Sequence, residues 1–341
     1  MTLANSKRDY AISIVRLLAT ASIVLCHILQ YRDNVLAWWF NVGVQIFLVM
    51  SGYLYGLRAD RPINDIAFYK KNFSKILLDY YLVVIPVLIL QIIMNPGKIS
   101  GDRAYKILFT YKQLAGGQHL WFIPYILVCY LITPFLSRFF TSLKDRASHL
   151  ILGFLGLLLF NHLLHDTFFK YFNAVWINCY IIGIFLGCCQ TTEHKRIKCS
   201  MIGIISILAI VFNAVRICIL YVWKVQVSEP YDELMMLFYD ISHGLLGCFL
   251  FFAMRFLFTP LAKLLQKSDS ICKFLEFTDS LCFDIYLVHQ FFILDRYSLM
   301  DRTDNPALNI CMILILTLIF ALIVWTISGF LSRKRHVKSV V

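Results

Sequence analysis

Long apolar stretches recur along the chain, each about 20 residues in length, which is what an α-helix needs to cross a bilayer. Short polar connections separate them. About ten segments follow from this pattern, near residues 11–31, 35–57, 76–95, 119–140, 149–165, 173–189, 199–223, 233–258, 278–294 and 307–331. We therefore predict an all-α polytopic membrane protein, with a short N-terminus at 1–10, one transmembrane domain at 11–331 and a basic tail at 332–341.

Composition and charge agree with this prediction. The chain is 60% hydrophobic and 15% charged, whereas a soluble domain has about 25% charged residues. The formal net charge of +12 raises the possibility of nucleic-acid binding. However, Lys and Arg residues flank one side of the predicted segments about twice as often as the other, which is the signal that marks cytoplasmic loops. The charge therefore indicates cytoplasmic termini, and no nucleic-acid partner is expected.

The first segment carries an arginine, Arg16, and a histidine, His27, both rare inside a membrane. Eleven positions amount to three helical turns plus about 20°, so the two side chains share one face, about 16 Å apart. One interpretation is that Arg16 extends to lipid headgroups and that His27 is merely interfacial. The other is that Arg16 holds an anionic donor near the cytoplasm while the His27 imidazole moves protons.

Two further polar groups lie near the outer ends of their segments. Tyr286 and His289 are three positions apart and share a helix face, either as a structural pair or as residues that orient His27 and line an acceptor site. His119 and Trp121 open the fourth segment. They belong either to the interfacial aromatic belt or to a platform for a sugar ring.

Other polar residues allow a structural and a functional interpretation in the same way. Asp240 and His243 share a face in the eighth segment, as a proton-relay pair or a structural one. Lys71 and Lys75 belong to a basic loop before the third segment, which marks topology or grips phosphates. Gly52 follows a serine and favours close helix packing. No cysteine spacing typical of a zinc site is present, and no metal is expected.

Several motifs together resemble one family. An arginine followed eleven positions later by a histidine, here Arg16 and His27, is similar to the signature of the acyltransferase family 3 membrane proteins. The likeness continues through short motifs that span nearly the whole chain, at residues 47–53, 71–76, 119–122 and 285–289. The resemblance implies an O-acyltransferase of cell-surface glycans in the plasma membrane, with about ten spanning helices.

The resemblance also implies partners and roles. Acyl-coenzyme A enters from the cytoplasm as a donor substrate, with acetyl as the expected acyl group, and no cofactor is bound permanently. The acceptor is a polysaccharide or lipid-linked sugar. His27 is the essential histidine and Arg16 its essential partner. From the charges of the residues themselves, we further expect Arg16, Lys71 and Lys75 to bind the donor phosphates. Many members carry an acidic residue where this chain has Gln45, so no role for that carboxylate carries over.

The residues themselves leave alternatives open. Direct transfer and a transient acyl group on His27 are both compatible with the pattern, and the sequence does not indicate an oligomeric state. Charged intramembrane residues also mark proton-coupled transporters of glycans or small anions. However, the inverted repeats and broken helices common in transporters are not evident. A membrane sensor or scaffold is the third class, and it would not need Arg16 and His27 on one face.

Overall fold

The computed structural model describes residues 8–95, 99–110, 114–167, 173–223, 232–294 and 297–338. All regular structure within these residues is helical. Helices α1 to α6 span Tyr10–Tyr31, Ala37–Phe40, Gly43–Gly56, Asp65–Met94, Gly101–Leu108 and Phe122–Leu143. Helices α7 to α13 span Ala147–Thr167, Ala174–Thr191, Lys195–Ile217, Asp232–Leu265, Asp269–Val288, Gln290–Ile293 and Pro306–Lys338. A 3₁₀ turn (Gln118–Trp121) precedes α6, and a π-helical turn (Cys218–Val222) follows α9.

Within the described ranges, nine helical stretches are long and apolar enough to cross a membrane, and they coincide with nine of the predicted segments. The other predicted segment, 278–294, corresponds to the second half of α11 together with α12. The prediction of an all-α polytopic membrane protein is thus confirmed. The cytoplasmic position of the termini stays a prediction, and residues 1–7 and 339–341 of the expected flanks lie outside the described residues.

Helix α4 begins well before the predicted third segment. Its first turn is capped by Asn64, whose side-chain oxygen accepts a hydrogen bond from the backbone N–H of Ala67 at 3.0 Å. The expectation that Lys71 and Lys75 lie in a loop is therefore wrong, because both are exposed residues of this helix. Hydropathy marks only the apolar part of a helix, so the capped polar turns escaped the prediction.

Helix α13 continues past its predicted end in the same way. It extends to Lys338 and so includes most of the stretch expected to form a tail.

Two predicted segments are interrupted. Residues 35–57 contain α2 and α3, which are separated by Asn41 and Val42, and residues 278–294 break at His289, between α11 and α12. The backbone N–H of His289 still donates to the carbonyl of Ile285 at 3.1 Å, so this helical bond is kept at the break. Breaks at membrane depth occur where the backbone is buried in protein or lines a cavity.

The described chain divides into two compact units by packing. Unit 1 comprises residues 1–19, 42–63 and 131–275, and unit 2 comprises residues 20–41, 64–130 and 276–341. The single transmembrane domain expected over residues 11–331 stays a prediction.

Unit 1 is built on the close packing of α3 against α8. A Cβ atom added at Gly52 would lie 2.2 Å from the carbonyl oxygen of Tyr180, and one at Gly183 would lie 2.3 Å from that of Val49. Only glycine fits at such backbone approaches, since real side chains need more than 3 Å. The close packing predicted for Gly52 is therefore confirmed.

Unit 2 is organised around α4, against which α5 and α13 pack. The Tyr80 hydroxyl donates to the carbonyl of Ile107 at 2.8 Å, and the Gln91 amide donates to the carbonyl of Ala115 at 2.9 Å. These bonds tie the chain that precedes the 3₁₀ turn to α4. The 3₁₀ turn itself contributes residues to the candidate site.

Candidate active site

His27 lies one turn before the end of α1 and is half-buried. Its Nδ1 lies 2.9 Å from the side-chain oxygen of Gln30, on the next turn of the same helix. An amide oxygen can only accept, so Nδ1 carries the hydrogen and Nε2 keeps its lone pair. This tautomer is the one that a general base uses.

His289 occupies the break between α11 and α12 and is fully buried. Its Nδ1 donates to the carbonyl oxygen of Tyr286 at 2.8 Å. Its Nε2 is buried and has no hydrogen-bond partner among the described residues. The hydrogen bond to the backbone carbonyl therefore fixes the orientation of the imidazole ring, and Nε2 can still bond to another group.

His119 lies in the 3₁₀ turn and is 2% exposed. Its Nε2–H donates to the carbonyl of Leu287 at 3.2 Å, and its backbone N–H donates to the side-chain oxygen of Gln290 at 2.8 Å. The Tyr286 hydroxyl donates to the His119 carbonyl. With the bond from the Gln290 amide to the Gln118 side-chain oxygen at 3.2 Å, four hydrogen bonds fasten the turn to α11 and α12.

The three imidazole rings form one cluster, which we call the histidine cluster: His27, His119 and His289. The ring centres of His27 and His289 are 5.2 Å apart, those of His119 and His289 are 4.9 Å apart, and those of His27 and His119 are 6.2 Å apart. Two positive charges at such separations in a buried site repel strongly. The cluster therefore suits one mobile proton at a time.

A cleft of about 360 Å³ opens beside the histidine cluster. His27 and His119 line it together with the indoles of Trp38 and Trp121. Four side-chain amides complete the polar lining: Gln30, Asn41, Gln118 and Gln290. Imidazole, aromatic faces and amides together suit a polyhydroxylated ring whose hydroxyl is presented to a base.

The structure brings together five of the residues that the sequence singled out: His27, His119, Trp121, Tyr286 and His289. All five belong to unit 2. Three residues of the cleft were not among the candidates from the sequence: Trp38, Gln30 and Gln290. A signal existed for each glutamine, because Gln30 is one turn after His27 and Gln290 adjoins His289.

The donor-binding candidates lie elsewhere. Arg16 is half-buried on α1 and belongs to unit 1. Since α1 is unbroken from Tyr10–Tyr31, the eleven-residue spacing to His27 holds along one helix. Lys71 and Lys75 are exposed on α4 and do not line the cleft.

Asp240 and His243 lie on α10 in unit 1. The Asp240 carboxylate accepts a hydrogen bond from the side chain of Asn173 at 2.6 Å. His243 is buried and lies near the guanidinium of Arg216, which sits 4.7 Å from the ring centre of Tyr239. The sequence did not predict a buried cation, Arg216, beside Asp240 and His243. The proton-relay and structural interpretations of this pair both stay open.

In the described part of the chain, no three His, Cys, Asp or Glu side chains are placed to hold a metal ion.

A comparison with protein families finds a match: the model of acyltransferase family 3, described as an acyltransferase domain, matches residues 9–328. Neither the curated proteins nor the solved structures contain a match to the chain.

Proposed function

The chain belongs to acyltransferase family 3, a family of membrane acyltransferases, and from this premise we propose its substrates and mechanism. The donor is cytoplasmic acyl-coenzyme A, with acetyl as the expected acyl group. The acceptor is a hydroxyl of a surface polysaccharide or lipid-linked sugar at the plasma membrane. The observation that carries the proposal is that His27 lines the cleft with its Nε2 lone pair available.

In this mechanism His27 acts as the general base. The acceptor oxygen attacks the thioester carbonyl carbon while Nε2 of His27 takes the hydroxyl proton. The C–S bond then breaks, and the leaving thiolate recovers a proton from the imidazolium. A positioned base of this kind contributes about 10²- to 10⁴-fold in rate. Gln30 fixes the tautomer through Nδ1.

His119 and His289 are positioning residues for His27. One nitrogen of each ring is held by a backbone carbonyl, that of Leu287 or Tyr286, so both rings are fixed beside His27. Neutral rings of this kind accommodate the transient charge on His27 without themselves being ionised. Because the two rings are anchored to the backbone, the base meets the acceptor in one orientation.

The acceptor would lie against the two indoles that line the cleft. Trp38 and Trp121 offer flat apolar faces for the C–H face of a sugar ring. Gln118 and Asn41 contribute side-chain amides to the lining of the cleft, and amides can hydrogen-bond to hydroxyl groups. These contacts would select the hydroxyl that reaches His27.

The donor would be held through its phosphates by cationic residues. Arg16 is a guanidinium suited to bidentate phosphate contacts, and Lys71 and Lys75 present exposed ammonium groups on α4. The thin pantetheine arm would then carry the thioester toward His27.

The test is acyl transfer from radiolabelled acetyl-coenzyme A in membranes that contain the protein. We expect His27→Ala to lose about 100-fold or more of the rate, because the base is removed. His149→Ala is the matched control, since His149 is an exposed histidine on α7, and full activity is expected for it. A well-folded His27→Ala variant with undiminished activity would remove His27 from the mechanism.

The same assay tests the donor contact. Arg16→Ala is expected to raise the apparent KM for acetyl-coenzyme A, because one phosphate contact is lost. An unchanged KM with an intact rate would mean that Arg16 extends to lipid headgroups instead.

A further inference from the structure

A tyrosine in unit 1 is flanked by two cations. Tyr53 on α3 is fully buried. The Arg255 guanidinium on α10 lies 5.4 Å from the centre of its ring, and the Lys198 ammonium on α9 lies 5.6 Å from it. Each cation is half-buried, so both charges are partly removed from water.

Among the described side chains that contact one another at this tyrosine, two cations face one carboxylate. Arg255 donates two hydrogen bonds to the carboxylate of Asp9, at 2.8 and 3.2 Å. Lys198 donates to the side-chain oxygen of Gln190 at 2.6 Å, and an amide carries no charge to offset it. Lys198 and Arg255 lie against the same tyrosine ring, so their positive charges repel each other. Holding two cations together in this way favours an anion beside them.

The tyrosine also has an unused donor. Its hydroxyl is buried and has no hydrogen-bond partner among the described residues. A buried hydroxyl without a partner is costly and uncommon in proteins. A phosphate oxygen is an acceptor that satisfies a phenol and two cations at once.

The pattern of flanking charge places this cluster near the cytoplasm. Asp9 immediately precedes α1, and the predicted topology puts that end of the helix on the inner side. Arg255, which is bonded to Asp9, therefore lies on the same side. Lys198 is in the first turn of α9, which also carries Lys195 and Arg196, and such basic residues mark the cytoplasmic side.

We propose that Tyr53, Lys198 and Arg255 form a site for a phosphate-bearing anion that approaches from the cytoplasm. The nucleotide phosphates of the acyl donor and an anionic phospholipid headgroup share this chemistry. With the donor as the source, the inference rests on the proposed function and adds Tyr53, Lys198 and Arg255 to the residues proposed to hold the donor phosphates.

The first experiment is coenzyme A binding by calorimetry, with the full-length protein in nanodiscs of neutral phosphatidylcholine. We expect Lys198→Gln to weaken binding about ten-fold or more, as for the loss of one charged hydrogen bond. Lys195→Gln is the matched control, because it removes an exposed lysine from the same turn of α9 and should bind normally. Lys198→Arg should restore most of the affinity.

A second variant separates binding from folding. Tyr53→Phe removes only the buried hydroxyl, so we expect weaker coenzyme A binding together with an unchanged or higher Tm. A purely structural hydroxyl would give the reverse: a lower Tm and unchanged affinity. The readout therefore holds even if Lys198→Gln folds poorly.

The lipid source is tested in nanodiscs that contain phosphatidylglycerol, by mass analysis of lipid retained after detergent extraction. Loss of retained anionic lipid in Lys198→Gln, but not in Lys195→Gln, assigns the phosphate to a headgroup. The site is overturned if Lys198→Gln, Lys195→Gln and Tyr53→Phe all behave alike in both the coenzyme A measurement and the lipid measurement. If the unaltered protein binds no coenzyme A at all, the proposed function fails. If it binds coenzyme A with an affinity that the Lys198 and Tyr53 variants do not change, only the donor phosphate subsite is overturned.

Discussion

At the scale of the residue, chemistry in the histidine cluster depends on how each ring is anchored. His119 and His289 donate to backbone carbonyls, which helix geometry holds in place. His27 instead relies on one side chain, that of Gln30. His27, the proposed base, is therefore the member of the cluster whose orientation is most easily altered by a single substitution.

Replacing Gln30 tests this dependence. Gln30→Met keeps the length of the side chain but removes the acceptor for Nδ1–H. We expect turnover to fall about five-fold, as for the loss of one hydrogen bond of about 1 kcal/mol, with the donor KM unchanged. Gln30→Glu retains an acceptor and should keep most of the activity. Equal turnover of the two variants in the membrane assay would contradict a role for this bond.

At the scale of the element, the contact between α3 and α8 is made by small residues on both helices. Gly52 and Gly56 lie one turn apart on α3, as do Gly183 and Gly187 on α8. A Cβ at any of the four would lie 2.2 to 2.4 Å from a carbonyl oxygen of the facing helix. Such stripes allow backbones to approach closely in a membrane, where van der Waals contact replaces the hydrophobic effect.

A single methyl group at this contact should destabilise the protein. Gly183→Ala would force the helices apart, and overpacking of this kind costs about 1–3 kcal/mol. We expect a lower Tm in detergent and a lower yield of folded protein. Gly203→Ala on α9 is the control, since its Cβ would meet nothing within 4 Å. A Tm for Gly183→Ala equal to that of the control would contradict the packing argument.

At the scale of the whole molecule, the asymmetry of Lys and Arg predicts both termini in the cytoplasm. A C-terminal green fluorescent protein fusion in a bacterial host should then be fluorescent, and a C-terminal alkaline phosphatase fusion inactive. The same reporters fused after Trp223, in the predicted outer connection, should give the opposite result. Phosphatase activity at the C-terminus would invert the topology.

How much the sequence could predict varies with the range of the interactions. The helices and the candidates His27, His119 and His289 follow from local composition and helix spacing. The cleft residue Trp38 could not be predicted in this way, because the sequence pattern of a polar or aromatic side chain near a membrane interface is the same whether it faces lipid or a cavity. The start of α4 at Asp65 was missed because capping by Asn64, rather than hydropathy, sets it.

Pairs formed between distant stretches were the least accessible to sequence reasoning. Lys198 and Tyr53 carry no mark in the sequence that relates them, and their proximity depends on how α3 and α9 pack. Only tertiary structure joins a cation to its neighbour across more than a hundred residues.

The hydrogen bonds that fasten the 3₁₀ turn to α11 and α12 have a consequence for selectivity. A wall that is already rigid loses little entropy when a ligand arrives. It also cannot remould itself around a sugar whose substituents are differently placed. Discrimination among stereoisomers should accordingly be steep, with rejection arising from misfit rather than from weaker attraction.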